Sequence, residues 1–208
     1  MQTSTTVVRA IPERLPVLAG VLGRAFANDP MIQWPLDGVG SVETISTMFR
    51  LLYEHPIDLG MLWEGGEGSG VAVWIAPGEA TLLAASDHVV RDRYGAMMPD
   101  GGVRYQEMWD WLESFVAEDV WYLDCIGIDP DHQRTGVGGA LIRHGLGLAA
   151  ADGAAAFLET AIAANIPYYK RFGFHVVGEG DAPGGGPHIW FMECNDPGSA
   201  ADPDRPPR

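Results

Sequence analysis

The sequence predicts an α/β or α+β domain built around a central sheet, and three observations support this. Strand-like apolar runs alternate with amphipathic, helix-like segments along most of the chain. The 208 residues, 47% of them hydrophobic, suit one domain with a sizeable core. A glycine-rich stretch, IGIDPDHQRTGVGGAL at residues 126–141, joins one of these strands to a helix.

The N-terminal part begins with a short strand pattern, TTVVRAI, at residues 5–11. Residues 12–26 place apolar side chains at helical spacing and end at Asn-Asp-Pro. A second helix is predicted over 41–55, with Ser41 as its N-cap. Two strand patterns, LGMLWEG and GVAVWIAPG, follow and are separated by Gly-Glu-Gly-Ser, which indicates a hairpin.

The remainder opens with a helical insertion at about 78–118, where Tyr105, Met108, Leu112 and Phe115 follow a helical period. A long strand, a helix, a buried strand and a short helix stopped by a glycine come next, and two final strands pair. The prediction is therefore a single domain over 1–194, followed by a disordered tail over 195–208 that is rich in Pro, Asp and Gly.

Composition excludes several classes of partner. The net charge of −15 argues against nucleic-acid binding, which needs clustered Lys and Arg. No stretch approaches 18 apolar residues and no signal pattern opens the chain, so we expect a soluble, cytoplasmic protein without membrane contact. Cys125 and Cys194 are interpreted as buried apolar residues, and the six histidines lack metal-ligand spacing, so no metal is expected.

The glycine-rich stretch has the properties of a phosphate-binding loop. Gly136, Gly138 and Gly139 open a helix shortly after a strand. A helix N-terminus presents free N–H groups and a partial positive charge, and glycines let a phosphate approach the backbone. Gln133, Arg134 and Thr135 add side-chain donors at the same place.

Two nucleotide motifs fit this loop poorly. A P-loop requires Gly-Lys followed by Ser or Thr, whereas Ala140 follows the last glycine. A dinucleotide fingerprint requires a third glycine where Leu141 stands, and a tighter turn than the eight residues from Ile128 to Gly136. Glu159, near the end of the next strand, stands where a ribose-binding acid would be and keeps a dehydrogenase open as an alternative.

A third pattern fits best. Gln133-x-x-Gly136-x-Gly138, preceded by a strand and Asp-Pro, resembles the acyl-CoA pyrophosphate loop of the GNAT superfamily of N-acyltransferases. The segment NIPYYKRFGF resembles a second motif of the same superfamily, at the expected separation, and the resemblance is close over 120–180. RAFANDPMIQWPLDG and the LET of 158–160 resemble, more loosely, the puromycin-acetyltransferase-like branch.

The resemblance implies a mixed, twisted, mostly antiparallel sheet of about seven strands, with splayed central strands and helices on both faces. Acetyl-CoA would bind in the gap as co-substrate, its pantetheine along the exposed strand and its pyrophosphate on the loop. The residues expected to bind it are Ile126, Gly127, Ile128, Gln133, Arg134, Thr135, Gly136, Val137, Gly138, Gly139 and Asn165.

The reaction implied is attack by an amine on the acetyl thioester. An ammonium must lose a proton and the departing thiolate must gain one, so the site needs a base and an acid. Tyr169 occupies the position that the superfamily uses for the acid, and its neighbour Tyr168 is expected to face the core. Glu159 is the first candidate for the base and Asp124 the second. Strand alternation would place Asp124 with Tyr122 and Ile126, and Cys125 on the other face.

The acceptor is not identified by these motifs. The insertion is expected to form a lid or a pocket wall, and the side chains proposed for that pocket are Trp34, Tyr53, Trp109 and Asp110. The function expected is an acetyl-CoA-dependent N-acetyltransferase acting on a small primary amine, and the resemblance implies a possible homodimer. A non-catalytic acyl-CoA-binding module is the alternative.

Overall fold

The computed structural model describes residues 5–79 and 92–201, which form a seven-stranded sheet in the order β1-β2-β3-β4-β5-β7-β6. All neighbouring strands are antiparallel except β4 and β5. The strands are β1 Val7–Arg9, β2 Leu62–Gly65, β3 Gly70–Ile75, β4 Trp121–Ile128, β5 Ala156–Thr160, β6 His175–Asp181 and β7 His188–Cys194. The predicted mixed, mostly antiparallel sheet is confirmed.

Eight α-helices of the described ranges surround the sheet. They are α1 Leu15–Ala25, α2 Pro30–Gln33, α3 Val42–Leu52, α4 Glu54–Asp58, α5 Val103–Glu113, α6 Val137–Asp152, α7 Ile166–Lys170 and α8 Pro197–Ala201. Ser41 caps α3 as predicted, because its hydroxyl accepts the N–H of Thr44 at 3.1 Å. No described helix combines the length and the apolar character needed to cross a membrane.

The two faces of the sheet carry separate hydrophobic clusters. On one face, side chains of α1, α3 and α5 pack against Val71 and Val73 of β3. On the other face, α6 packs against Ala72 and Trp74. Successive side chains of β3 therefore belong alternately to the two clusters, as expected for a strand that is covered on both sides.

The central strands separate after two residue pairs. β4 and β5 are paired only at Trp121↔Ala156 and Tyr122↔Phe157. Beyond this point β4 remains paired with β3 as far as Ile128, but no strand of the described residues pairs with its other edge. The predicted splay of the central strands is confirmed, and it leaves a row of backbone groups open towards β5.

A β-bulge in β4 makes the predicted alternation of this strand wrong. The register with β3 skips Asp124, which is the extra residue of the bulge. As a result Tyr122 and Cys125 pack into the cluster under α1 and α3, whereas Ile126 packs into the cluster under α6. The sequence analysis had placed Tyr122, Asp124 and Ile126 on one face and Cys125 on the other, as a strand without a bulge would require.

Two further segments differ from expectation. α8 forms within the tail that was predicted to be disordered, and Gly198 lies close to the side chain of Ala150 of α6. In the insertion, Tyr105, Met108 and Leu112 are buried on α5, but Phe115 follows the end of the helix and is 43% exposed. Residues 80–91 of the predicted helical insertion lie outside the described residues.

Candidate functional site

A cavity of about 890 Å³, including its opening to solvent, lies where β4 and β5 separate. One side of it is lined by the chain from Phe26 to α2, by α3 and by the described part of the insertion, and the floor is formed by the two strands. Its described lining comprises Phe26, Asp29, Met31, Ile32, Ile45, Met48, Phe49, Leu52, Tyr53, Tyr94, Tyr105, Met108, Trp109, Leu123, Asp124, Cys125, Ile126, Leu158, Glu159, Thr160, Ala161, Asn165 and Tyr169.

Glu159, the first candidate base, lies in this wall near the end of β5. The Tyr122 hydroxyl donates a hydrogen bond to its Oε1 at 2.7 Å. Removal from water disfavours the charged carboxylate and raises the pKa of Glu159 to about 8, and the nearby Asp124 acts in the same direction. A carboxyl group with this pKa exchanges its proton close to neutral pH, as a general base requires.

Asp124, the second candidate, reaches the cavity from the bulge of β4. The Tyr53 hydroxyl donates to its Oδ2 at 2.7 Å. Burial raises the pKa of Asp124 to about 6, and the hydrogen bond from Tyr53 opposes that shift. Each acid of the floor is therefore held by one tyrosine hydroxyl, which fixes its orientation.

A third carboxylate lines the cavity beside the two acids of the floor. Asp29 caps α2, where its Oδ1 accepts the N–H of Met31 at 2.9 Å, and burial raises its pKa. Within the described ranges, no group of three His, Cys, Asp or Glu side chains is arranged to hold a metal ion.

Tyr169, the candidate acid, projects from α7 into the same cavity. Its side chain is 7% exposed, and among the described residues no group forms a hydrogen bond with its hydroxyl. Burial raises the pKa of Tyr169 above its ordinary value, so the hydroxyl keeps its proton at neutral pH. Asn165, one turn earlier, also lines the cavity, and its amide lies 3.5 Å from the Thr160 hydroxyl.

Tyr168 does not face the core more than Tyr169 does, contrary to expectation. It is half-buried, whereas Tyr169 is buried. Its hydroxyl lies beside Gly138, where an added Cβ would stand 2.8 Å from the oxygen, and the Arg171 guanidinium lies 4.7 Å from its ring centroid. Tyr168 therefore borders the glycine loop, and Tyr169 borders the cavity.

The glycine loop turns the chain into the start of α6. Arg134 has a φ of 63° and Gly136 a φ of 96°, and this left-handed backbone turns the chain into α6. Ala140 is the first residue whose N–H bonds within the helix, to the carbonyl of Gly136. The N–H groups of Val137–Gly139 consequently have no intrahelical acceptor and point out of the helix end.

The loop side chains contribute less than the backbone. Gln133 and Arg134 are exposed, and the Thr135 hydroxyl donates to the carbonyl of His132 at 2.6 Å. Gly127 lies under α1, where an added Cβ would stand 2.7 Å from Leu22. The backbone of Ile126–Ile128 follows the open edge of β4, as expected for a strand-like ligand.

The side chains predicted for the acceptor pocket divide into two pairs. Tyr53 and Trp109 line the cavity. Trp34 does not, because it packs against the Arg104 guanidinium, 5.5 Å from its ring centroid, and neither does Asp110, which accepts a hydrogen bond from Gln106. Four further aromatic residues of the wall were either missed by the sequence analysis or assigned to the core. Each lies in a segment with a recognisable apolar pattern; they are Phe26, Phe49, Tyr94 and Tyr105.

Known proteins share both the central sequence and the fold. Residues 79–174 match the model of the acetyltransferase (GNAT) family. The structure is similar to one from Corynebacterium glutamicum described as histone acetyltransferase HPA2 and related acetyltransferase, with a TM-score of 0.61, 24% identity, and 92% of this chain and 96% of that chain covered. It is also similar to the PaiA N-acetyltransferase from Thermoplasma acidophilum in complex with coenzyme A, with a TM-score of 0.55, 13% identity, and coverage of 92% and 99%.

A polyamine N-acetyltransferase from Drosophila melanogaster shares the fold as well, with a TM-score of 0.58, 10% identity, and coverage of 91% and 98%. At identities this low, these similarities establish the shared fold alone. The family match covers the insertion, β4, the glycine loop, α6, β5 and α7. The resemblance to the puromycin-acetyltransferase-like branch stays a prediction. The sequence match to the acetyltransferase (GNAT) family thus includes β4, the glycine loop, β5 and α7 of the candidate site. The fold is one that solved acetyltransferases share.

Proposed function

We propose that this protein is an acetyl-CoA-dependent N-acetyltransferase that transfers an acetyl group to a small primary amine. The observation that carries the proposal is the meeting of three features at one place: Glu159 and Tyr169 line the same cavity, and the cavity opens where β4 leaves β5. A mere binding module needs neither an acid nor a base in that position.

The donor would occupy the gap beside β4. The open edge of Ile126–Ile128 offers backbone groups to the amides of pantetheine, as an added strand would use them. The free N–H groups at the start of α6, together with the backbone of 134–136, would hold the pyrophosphate. Asn165, in the cavity wall, would reach the pantetheine arm.

The chemistry assigned to the two side chains balances in protons. Glu159 would take a proton from the ammonium group of the acceptor, directly or through water, and the free amine would attack the thioester carbonyl. After attack the nitrogen carries one proton more than the amide product keeps. The carbon–sulfur bond would then break, the thiolate would receive a proton from Tyr169, and the resulting tyrosinate would take up the surplus proton of the nitrogen, while Glu159 returns its proton to solvent. Asp124 remains the second candidate for the base, and its lower pKa makes it the weaker proton acceptor.

A thermal-shift panel followed by a thiol-release assay tests this function. Acetyl-CoA and CoA at about 100 times their dissociation constants should each stabilise the protein by about 2.7 kcal/mol, and NADH and ATP should not. A mixture of primary amines should then release CoA thiol from acetyl-CoA, at a rate that rises with pH through about 8 if Glu159 is the base.

The possible results separate the alternatives. Binding of acetyl-CoA without thiol release from any amine would identify a non-catalytic acyl-CoA-binding module. Stabilisation by NADH and not by CoA would support a dinucleotide site. The homodimer implied by the resemblance stays a prediction, which analytical ultracentrifugation would check.

A further inference from the structure

We infer that the acceptor is a primary amine with one cationic group, a bulky apolar body of aromatic size and no anionic substituent. This inference rests on the proposed function and specifies its substrate class. It follows from the positions of the aromatic and the charged side chains in the wall of the cavity.

Two rows of aromatic rings line the cavity from different elements. Phe26, Phe49 and Tyr53 form one row, with ring centroids 5.1 and 5.9 Å apart. The second row comes from the insertion, and its centroids are 5.2 and 5.6 Å apart; its members are Tyr94, Tyr105 and Trp109. Rings at these spacings present a continuous apolar surface on which an aromatic or branched aliphatic body can pack.

The charged side chains of the wall all have one sign. Asp29, Asp124 and Glu159 are acidic, and no Lys, Arg or His is found among the lining residues that the structure describes. A carboxylate or phosphate on the acceptor would have to leave water without a partner of opposite charge, which is costly. The wall therefore favours a cation and disfavours an amino acid or a phosphorylated amine.

The acidic groups occupy only part of the wall. Asp124 and Glu159 belong to the floor strands and Asp29 to the cap of α2, whereas α3 and the described part of the insertion contribute only uncharged side chains. Asp124 acts electrostatically on Tyr94 from the floor, but the row of Tyr94, Tyr105 and Trp109 has no charged lining side chain of its own with which a second ammonium group could pair. One cation at the floor and an uncharged body against the rings is the arrangement that the wall accommodates.

Matched pairs of amines test the inference directly, with thiol release from acetyl-CoA as the assay. 2-Phenylethylamine and phenylalanine differ by a carboxylate, and kcat/KM should be about 100-fold higher for the former. Hexylamine and 1,6-diaminohexane differ by a second ammonium group, and kcat/KM should be about tenfold higher for hexylamine. 2-Phenylethylamine should also exceed methylamine.

Two tryptophans on the same helix provide a matched pair of variants. Trp109 lines the cavity, whereas Trp111 packs on Phe191, with ring centroids 5.5 Å apart. Trp109→Leu should raise KM for 2-phenylethylamine by about tenfold and leave KM for methylamine and acetyl-CoA unchanged. Trp111→Leu should change none of the three.

The outcomes distinguish this inference from the function beneath it. Preference for 1,6-diaminohexane or phenylalanine would overturn the inference and leave an N-acetyltransferase. Equal effects of Trp109→Leu and Trp111→Leu on KM for 2-phenylethylamine would also overturn it, because the ring row would then be structural. Failure of every amine to release thiol from bound acetyl-CoA would overturn both.

Discussion

At the scale of single residues, two tyrosine–carboxylate pairs define the floor of the cavity. Tyr122 donates to Glu159 and Tyr53 donates to Asp124, each at 2.7 Å. Each hydroxyl fixes the orientation of its carboxyl group by a hydrogen bond. It does not neutralise the negative charge of that group, because a buried tyrosine keeps its own proton. No described cation stands in the cavity wall, so burial dominates and raises the pKa of both acids.

Tyr169 differs from these tyrosines because its hydroxyl has no described hydrogen-bond partner and lines the cavity. Tyr169→Phe should lower kcat by about 10²–10⁴-fold, since the departing thiolate loses its proton donor, and should leave the dissociation constant of acetyl-CoA unchanged. Steady-state kinetics and isothermal titration would measure the two quantities.

The adjacent Tyr168 is the matched control for this prediction. Its hydroxyl borders Gly138 and not the cavity, so Tyr168→Phe should retain most of kcat. Turnover by Tyr169→Phe at the rate of the parent protein would remove Tyr169 from the proposed mechanism.

At the scale of elements, α6 uses its glycines for different purposes. Gly145 admits the buried ring of Trp74, which an added Cβ would approach within 1.9 Å. Gly138 admits the Tyr168 hydroxyl at the start of the helix, and Gly147 faces open space. Close approach therefore accounts for Gly145 and Gly138, although a glycine inside a helix costs about 1 kcal/mol relative to alanine, whereas no described contact requires glycine at 147.

The start of α6 gives the second prediction. Gly138→Ala places a methyl group against the Tyr168 hydroxyl and over the free N–H groups, so we expect acetyl-CoA to bind about tenfold more weakly. Titration calorimetry would measure this affinity. The end of the Tyr168 side chain must shift to admit the methyl group, and the higher helix propensity of alanine offsets this cost, so the melting temperature should change little.

Gly147→Ala is the control within the same helix. Nothing described lies within 4 Å of its Cβ position, so it should stabilise the protein by up to about 1 kcal/mol and leave the affinity for acetyl-CoA unchanged. Unaltered binding by Gly138→Ala would contradict the assignment of the pyrophosphate to this helix end.

At the scale of the whole molecule, the cavity makes stability depend on pH. The folded protein holds the Glu159 proton more tightly than the unfolded chain, since its pKa rises from 4.5 to about 8. The stability linked to this proton is fully present below pH 4.5 and is lost as the pH rises through about 8. We therefore expect the melting temperature of the ligand-free protein to fall over this interval.

Glu159→Gln cannot ionise and should keep that stability. At pH 8.5 it should be more stable than the parent protein by on the order of 3 kcal/mol, or roughly 5–10 °C, and at pH 4.5 the two should agree. Glu179→Gln, on the exposed strand β6, should follow the parent protein at both pH values. A constant difference between Glu159→Gln and the parent protein across this range would contradict the expected linkage. Differential scanning calorimetry at several pH values would measure it.

The sequence by itself determined the main elements and the glycine loop that is proposed to bind the acyl donor. Apolar periodicity located the main helices and all seven strands, because an element that buries one face repeats apolar residues at its own structural period. Gly136 and the glycines after it predicted a helix start with free N–H groups, since backbone geometry there depends mainly on local sequence.

Only the tertiary structure decided the cavity that is proposed to bind the acceptor. The bulge at Asp124 depends on pairing with β3, which local alternation does not encode. Asp124 therefore does not follow the face that alternation predicts, and the Tyr53 hydroxyl donates a hydrogen bond to it. The cavity unites side chains from the segment of Phe26 and α2, from α3, from the insertion and from two strands, and their proximity arises from packing between distant segments. Burial at that junction, and not the residue type, raises the pKa of Glu159 towards neutrality.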